Sequence, residues 1–150
     1  MKKIQVFIFF LSIAFQGFSQ QSAIDSLKKE LSQPGLSIDI QLKILKQLSK
    51  QDFPDGISKN IQYANKLVIL AKLNNNYRYA SDALDFLIAT SNQNGNFQKA
   101  AEYAQEAIFL ADENNNAGDE VYFSNLCGTA NRNAANYYDA LENYKYALKR

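Results

Sequence analysis

Three stretches of the chain carry the same spacing of apolar residues, and successive stretches lie forty residues apart. Within each stretch the apolar positions recur at intervals of three and four residues, which is the spacing of one face of an α-helix. In the middle stretch they are Phe97, Ala100, Ala101, Ala104, Ala107 and Ile108. In the later stretch they are Tyr137, Ala140, Leu141, Tyr144, Ala147 and Leu148, and in the earlier one Ile57, Ile61, Ala64, Leu67 and Val68. Each stripe therefore predicts a helix buried along one face, and only Asn60 departs from the pattern.

Polar connectors separate the helical stretches with the same period. Three consecutive asparagines occur at residues 74–76 and again at 114–116. Asparagine is favoured where a helix ends or where a turn needs a left-handed residue. Asn96 and Asn136 directly precede their stripes and are predicted N-caps. In the first unit the break falls at residues 52–56, which contain both Pro and Gly.

A second helical stripe lies between each asparagine cluster and the next N-cap. It is formed by Ala80, Ala83, Leu84, Leu87 and Ile88 in one unit, and by Phe123, Leu126, Cys127 and Ala130 in the next. Each unit is thus a pair of antiparallel helices, and the first pair is predicted to run from about Ser37 to Lys72. A shorter amphipathic helix, from Ser22 to Leu31, precedes it. No strand pattern follows the N-terminal segment, so the sequence predicts an all-α fold of stacked antiparallel helix pairs.

The N-terminal segment has the order of a secretory signal peptide. Two lysines precede an apolar run from Ile4 to Phe15, and small residues follow at Gly17 and Ser19. The run has twelve residues, whereas a membrane-spanning helix needs about 20. We therefore expect cleavage after Ser19 or one residue later and export to the periplasm or the medium, with an uncleaved anchoring helix as the alternative. The predicted division is a signal peptide (1–20), an N-terminal helix and linker (21–36), and three helix pairs (37–150).

The middle and last units resemble the tetratricopeptide repeat. Asn94, Gly95, Asn96 and Phe97, followed by Ala100, Tyr103, Ala104 and Ala107, are similar to the second half of that repeat, and Gly128, Tyr137, Ala140, Tyr144 and Ala147 repeat the pattern. The resemblance covers roughly residues 38–150. The chain departs from the family pattern in its period of forty rather than about 34, its lack of Trp, Ile88 at a usual Gly position and the missing closing Pro. The resemblance implies a right-handed superhelix with a concave groove.

Composition argues against catalysis and against nucleic-acid binding. The chain has no His and one Cys, so Cys127 cannot form a Cys-His nucleophile and is predicted to be a buried core residue. Beyond residue 20 the charges nearly balance, which gives no general attraction for nucleic acid. No His or Cys accompanies the pairs of carboxylates in the sequence to suggest a metal site, and no cofactor motif is present. These pairs are Asp82 with Asp85, Glu102 with Glu106, and Asp119 with Glu120. A mild basic cluster is interpreted as solvated surface, and it comprises Lys28, Lys29, Lys43, Lys46 and Lys50.

The resemblance also implies where a partner would bind. In the family, the first helix of each pair lines the groove. The matching positions in the second unit are Asp82, Asp85, Ala89 and Asn92, and in the third unit Tyr122, Asn125, Thr129 and Arg132. Their carboxylates, amides, phenol and guanidinium suit hydrogen bonding to an extended or helical peptide.

Two functional hypotheses follow. The first is a non-catalytic, exported interaction module or scaffold that binds a protein or peptide in its groove, with no membrane contact by the repeats. The second is the N-terminal sensory region of a longer membrane-bound signalling protein, with a histidine kinase, cyclase or DNA-binding regulator downstream. The last stripe ends without a polar capping helix and looks cut short, which motivates the second hypothesis and makes the last helix a candidate surface for a homodimer.

Overall fold

The computed structural model describes residues 21–53 and 56–150. The predicted signal peptide and part of the predicted break at residues 52–56 lie outside these ranges. The described residues form seven helices and no strand. Helix α1 covers residues 21–31, and the others are α2 (Ile38–Leu48), α3 (Ser58–Leu73), α4 (Tyr77–Gln93), α5 (Phe97–Glu113), α6 (Ala117–Asn133) and α7 (Tyr137–Lys149). The prediction of an all-α fold is confirmed.

Side-chain caps begin α2, α4 and α6. Ser37 Oγ accepts a hydrogen bond from the backbone N–H of Ile40, and Asn76 and Asn116 cap α4 and α6 in the same way. Asn96 and Asn136 occupy the predicted N-cap positions of α5 and α7, but the predicted side-chain cap is wrong there, because neither amide bonds to its own helix. Asn136 Nδ2 instead donates to α5 and α6 side chains.

The four turns that join α3 to α7 share one geometry. Each contains a single left-handed residue, at Asn75 (φ 52°), Gly95 (φ 74°), Asn115 (φ 55°) and Ala135 (φ 63°). The N–H of the following residue bonds to a carbonyl five residues earlier, at 2.8 to 2.9 Å, as in a Schellman motif. The asparagine clusters predicted turns forty residues apart, and the structure shows that the turn geometry recurs every twenty.

The core runs between consecutive helices and is built largely from alanine and leucine. Ala100, Ala104 and Leu84 are fully buried, as the stripes predict. Cys127 is buried as predicted, with an exposed fraction of 2%. The close approach of helix backbones at alanine explains why small residues recur along α5.

In α7 the predicted buried stripe is wrong at three of its six positions. Ala140 and Ala147 are buried, whereas Tyr137, Leu141 and Leu148 are 68%, 51% and 87% exposed. The physical reason is that, among the described helices, only α6 packs closely on α7. The side of α7 that faces away from α6 is therefore exposed to solvent.

Asn60, the polar residue that interrupts the first stripe, has a structural role. It is buried, and its Nδ2 donates to the backbone carbonyls of Ser49 and Gln51 at 2.9 and 2.6 Å. These bonds satisfy carbonyls that follow α2, so the amide replaces the alanine found at the equivalent position of α5.

Alternate helices differ in how closely they approach each other. Pairs α2 with α4, and α4 with α6, have Cα atoms within 8 Å, whereas α3 with α5 and α5 with α7 do not, in the part of the chain that is described. Within the described residues, no helix is both long enough and apolar enough to cross a bilayer.

Candidate binding face on α4 and α6

The groove residues predicted from the repeat lie on two helices that touch. Asp82, Asp85 and Asn92 lie on α4, and Tyr122, Asn125 and Arg132 lie on α6. Within each helix the members are separated by three and seven residues, so they project from one side. We call these six residues the binding face.

Three members of the binding face hold neighbouring helices together through two bridges. Lys46 Nζ on α2 lies 2.5 Å from Asp82 Oδ2. Tyr122 on α6 donates its hydroxyl hydrogen to Asp85 Oδ1 at 2.7 Å. The carboxylates therefore bridge α2 to α4 and α4 to α6, in addition to any role toward a ligand. Both bridges are solvated, so each contributes modestly to stability.

Burial and hydrogen bonds to carboxylates make two phenols, one on α4 and one on α6, harder to ionise. The hydrogen bond to Asp85, followed by burial, raises the pKa of Tyr122 to about 12. Burial, followed by the hydrogen bond to Asp119, raises the pKa of Tyr77 to about 12 at the start of α4. Each phenol therefore keeps its proton, and its hydrogen bond to a carboxylate, to a higher pH than an ordinary tyrosine would.

The other three members of the binding face differ in how accessible their polar groups are to a ligand. Asn125 and Arg132 are exposed, although Asn125 Nδ2 also donates to the carbonyl of Val121 at 3.1 Å. Asn92 is half-buried, and its Oδ1 has no hydrogen-bond partner among the described residues. The face thus presents a guanidinium and an amide to solvent beside the bridged carboxylates.

Sequence reasoning missed Lys46 as a part of this region. The sequence predicts that Lys46 belongs to a solvated basic cluster, but it is half-buried, pairs with Asp82 and lies 5.4 Å from the centre of the Tyr79 ring. The sequence did contain a signal for this ion pair. Lys46 and Asp82 carry opposite charges and lie on the first helices of adjacent helix pairs, which are neighbours in a stack. The distance itself depends on helix rotation, which the sequence pattern does not specify.

The comparisons with models of known protein families, with curated proteins and with solved structures give no match to the chain. No group of three or more His, Cys, Asp or Glu that could hold a metal ion occurs in residues 21–53 and 56–150.

Proposed function

We propose that the chain is an exported, non-catalytic protein-interaction module with a right-handed, tetratricopeptide-like superhelix. The observation that supports this proposal is the approach of α4 to both α2 and α6, while α5 stays farther from α3 and from α7. A stack whose first helices are closer than its second helices curves toward the first helices. The binding face then lies on the concave side.

The chemistry of the binding face favours a peptide ligand. Arg132 can bind a carboxylate or a backbone carbonyl, and Asn125 can both donate to and accept from a peptide backbone. Asp82 and Asp85 add negative charge, so a peptide with a basic residue opposite α4 fits best. Export, for which the N-terminal segment argues, would make the partner a periplasmic or extracellular protein. The proposal needs no cofactor and no nucleic acid.

The test is to select peptides by phage display against residues 21–150 and to measure their affinity for variants. We expect the double variant Asp82→Lys, Asp85→Lys to bind a selected peptide at least about tenfold more weakly, because two attractive charges become repulsive. Its helical circular dichroism should not change, since an exposed ion pair contributes only about 0–1 kcal/mol.

A matched control reverses the charge of two carboxylates on α5, which is the second helix of its pair. Glu106 and Glu113 lie on α5 and outside the binding face, so Glu106→Lys with Glu113→Lys should leave peptide affinity unchanged. Equal affinity for both double variants would contradict the concave binding face.

The second candidate function, a sensory region of a membrane-bound signalling protein, is favoured by the open side of α7. Its exposed Leu141 and Leu148 are suited to packing against further helical repeats of a longer polypeptide. An antibody against residues 21–150 discriminates between the candidates in fractionated native cells. A soluble periplasmic band of that size favours the interaction module, and a much larger membrane-bound band favours the sensory region.

A further inference from the structure

A tyrosine ring fills the space between α3 and α5, and the equivalent space between α5 and α7 is open. Tyr103 on α5 is half-buried and packs against the core. Its hydroxyl donates a hydrogen bond to Asn65 Oδ1 on α3 at 3.2 Å, so the side chain crosses from one helix to the other. Between α5 and α7 there is instead a cavity of about 770 Å³, with α6 as its floor. This volume is in the range of small-molecule sites.

Both residues of the Tyr103 to Asn65 bridge have counterparts on the cavity wall. Gln105 stands forty residues after Asn65, and Asn143 stands forty residues after Tyr103. Asn143 is much shorter than a tyrosine, and its Nδ2 donates to the backbone carbonyl of Asp139 on its own helix at 2.8 Å. The acceptor position of the bridge is therefore retained at Gln105, and the aromatic ring is missing.

Three further replacements enlarge the same space. Each exchanges a large apolar side chain of the preceding unit for a small one on the cavity wall or floor: Ile61 for Ala101, Leu84 for Ser124, and Leu87 for Cys127. Together with the exchange of tyrosine for asparagine, they remove side-chain volume from four positions around one cavity. The same architecture is thus filled in one unit and open in the next.

The wall that α5 contributes combines apolar surface with one neutral polar group. Phe109 lines the cavity where the preceding unit has Ile69, and its ring is 59% exposed. Gln105 is also exposed and precedes Phe109 by four residues, so the two side chains are neighbours on one face of α5. An exposed ring can pack against a second ring, and the glutamine oxygen can accept a hydrogen bond. The pair suits an aromatic ligand that carries a hydroxyl group.

We propose that the cavity binds a phenol group in the position that Tyr103 occupies in the preceding unit. The ring packs against Phe109, and the hydroxyl donates a hydrogen bond to the side-chain oxygen of Gln105. No charged side chain takes part in either contact. A free phenol and the side chain of a tyrosine residue in another protein share this chemistry.

The phenol site does not depend on the peptide-binding function proposed above. The floor residues Ser124 and Cys127 each follow a member of the binding face by two positions, which is about 200° around α6. The cavity therefore lies on the opposite side of α6 from the binding face. Either proposal can fail without the other.

The first experiment titrates the isotope-labelled chain from residue 21 to residue 150 and follows its backbone amide signals by NMR. The probes are para-cresol, toluene, which lacks the hydroxyl group, and N-acetyl-tyrosinamide. We expect para-cresol to bind with a Kd of about 1 mM or lower, which is reasonable for a ligand of this size, and to shift signals of α5, α6 and α7. Tighter binding of para-cresol supports a free phenol as the ligand, and tighter binding of N-acetyl-tyrosinamide supports a tyrosine side chain. Failure of both phenols to bind would overturn the proposal.

The second experiment fills the cavity from the chain itself. Asn143→Tyr supplies the ring that Tyr103 supplies in the preceding unit, so it should raise the midpoint of thermal unfolding and lower the affinity for para-cresol at least about tenfold. Gln62→Tyr adds the same ring at an exposed position of α3 outside the cavity, and it should bind para-cresol as the wild type does. Unchanged para-cresol binding in a folded Asn143→Tyr variant would place the phenol elsewhere and overturn the assignment.

The third experiment tests the contact of the hydroxyl group. Gln105→Leu removes the hydrogen-bond acceptor at an exposed position, so the fold should be unaffected. We expect the affinity for para-cresol to fall about threefold or more, because one hydrogen bond is lost, whereas the affinity for toluene should not fall. An equal loss for both probes would show that Gln105 does not recognise the hydroxyl and would overturn the assignment of a phenol.

Discussion

Ala135 has a backbone conformation that is unfavourable for any residue with a Cβ atom. Its φ is 63°, whereas the equivalent turns use Asn75, Gly95 and Asn115. The left-handed conformation costs roughly 1–2 kcal/mol for an ordinary L-residue, and glycine avoids that cost but loses more entropy on folding. We expect Ala135→Gly to increase the free energy of unfolding by about 0.5–1 kcal/mol, as measured by urea denaturation at fixed protein concentration.

The neighbouring Ala134 provides the matched control for this substitution. Its φ is −79°, which alanine adopts without strain, so Ala134→Gly should reduce stability. If Ala135→Gly were no more stable than Ala134→Gly, strain at the last turn would be ruled out.

Gly128 is required by its contact with a tyrosine on the next helix. A Cβ atom at this position would lie 2.6 Å from Tyr144 Cε1, and the Tyr144 hydroxyl is within 3.2 Å of Thr129 Oγ1, which holds the ring in place. We expect Gly128→Ala to destabilise the fold by about 1–3 kcal/mol, because overpacking outweighs a gain of about 1 kcal/mol in helix propensity.

Gly118, in the first turn of the same helix, supplies the comparison. Its added Cβ would meet only Asn116 Oδ1, at 3.6 Å, so Gly118→Ala should be neutral or stabilising. Thermal unfolding of both variants tests the packing argument, which fails if they shift the midpoint equally.

At the level of the single helix, α7 is attached to the stack through very few buried side chains. Ala140 is 4% exposed and faces α6. We expect Ala140→Glu to reduce the free energy of unfolding by about 3 kcal/mol or more, because it buries an unpaired carboxylate and overpacks the contact. Tyr138→Glu, at a position that is 77% exposed, should have little effect on thermal unfolding. Similar midpoints for the two variants would show that Ala140 is not a packing contact.

The sequence allowed prediction of the helix faces in α4 and α5 because burial there follows helical periodicity. Leu84 and Ala104 are buried as their spacing indicates. The same periodicity failed for Leu148, because a pattern reports a face that suits burial but not whether another element covers it. For the candidate binding face, the repeat predicts which residues share one side of each helix, but the Tyr122 to Asp85 hydrogen bond could not be predicted, since it depends on the rotation of α6 against α4.

The left-handed geometry of the turns was predicted only in part, for a related reason. Asparagine clusters revealed every second turn, at Asn75 and Asn115. The intervening turns use Gly95 and Ala135, and alanine carries no sequence signal for a left-handed conformation. The predicted N-caps at Asn96 and Asn136 located the intervening turns, but the left-handed geometry of those turns became evident only from the backbone angles.

For the whole molecule, the exposed face of α7 bears on the predicted homodimer. Leu141 and Leu148 are exposed, although their counterparts forty residues earlier, Ala101 and Ile108, are buried. A two-fold axis beside α7 would place this apolar face against the same face of a second copy. We expect a concentration-dependent dimer in sedimentation velocity, and a monomer for Leu141→Glu with Leu148→Glu. A monomeric wild-type chain at every concentration would contradict the homodimer.

The packing of each helix mainly on the next one along the chain has a kinetic consequence. Contacts between sequence neighbours require little loop closure, so folding should be fast and should be able to start at more than one adjacent pair of helices. Unfolding should then begin at an end of the stack rather than throughout it. Amide protons of α7 would exchange with solvent through local opening of that helix alone, whereas those of α4 and α5 would exchange only when the neighbouring helices also separate.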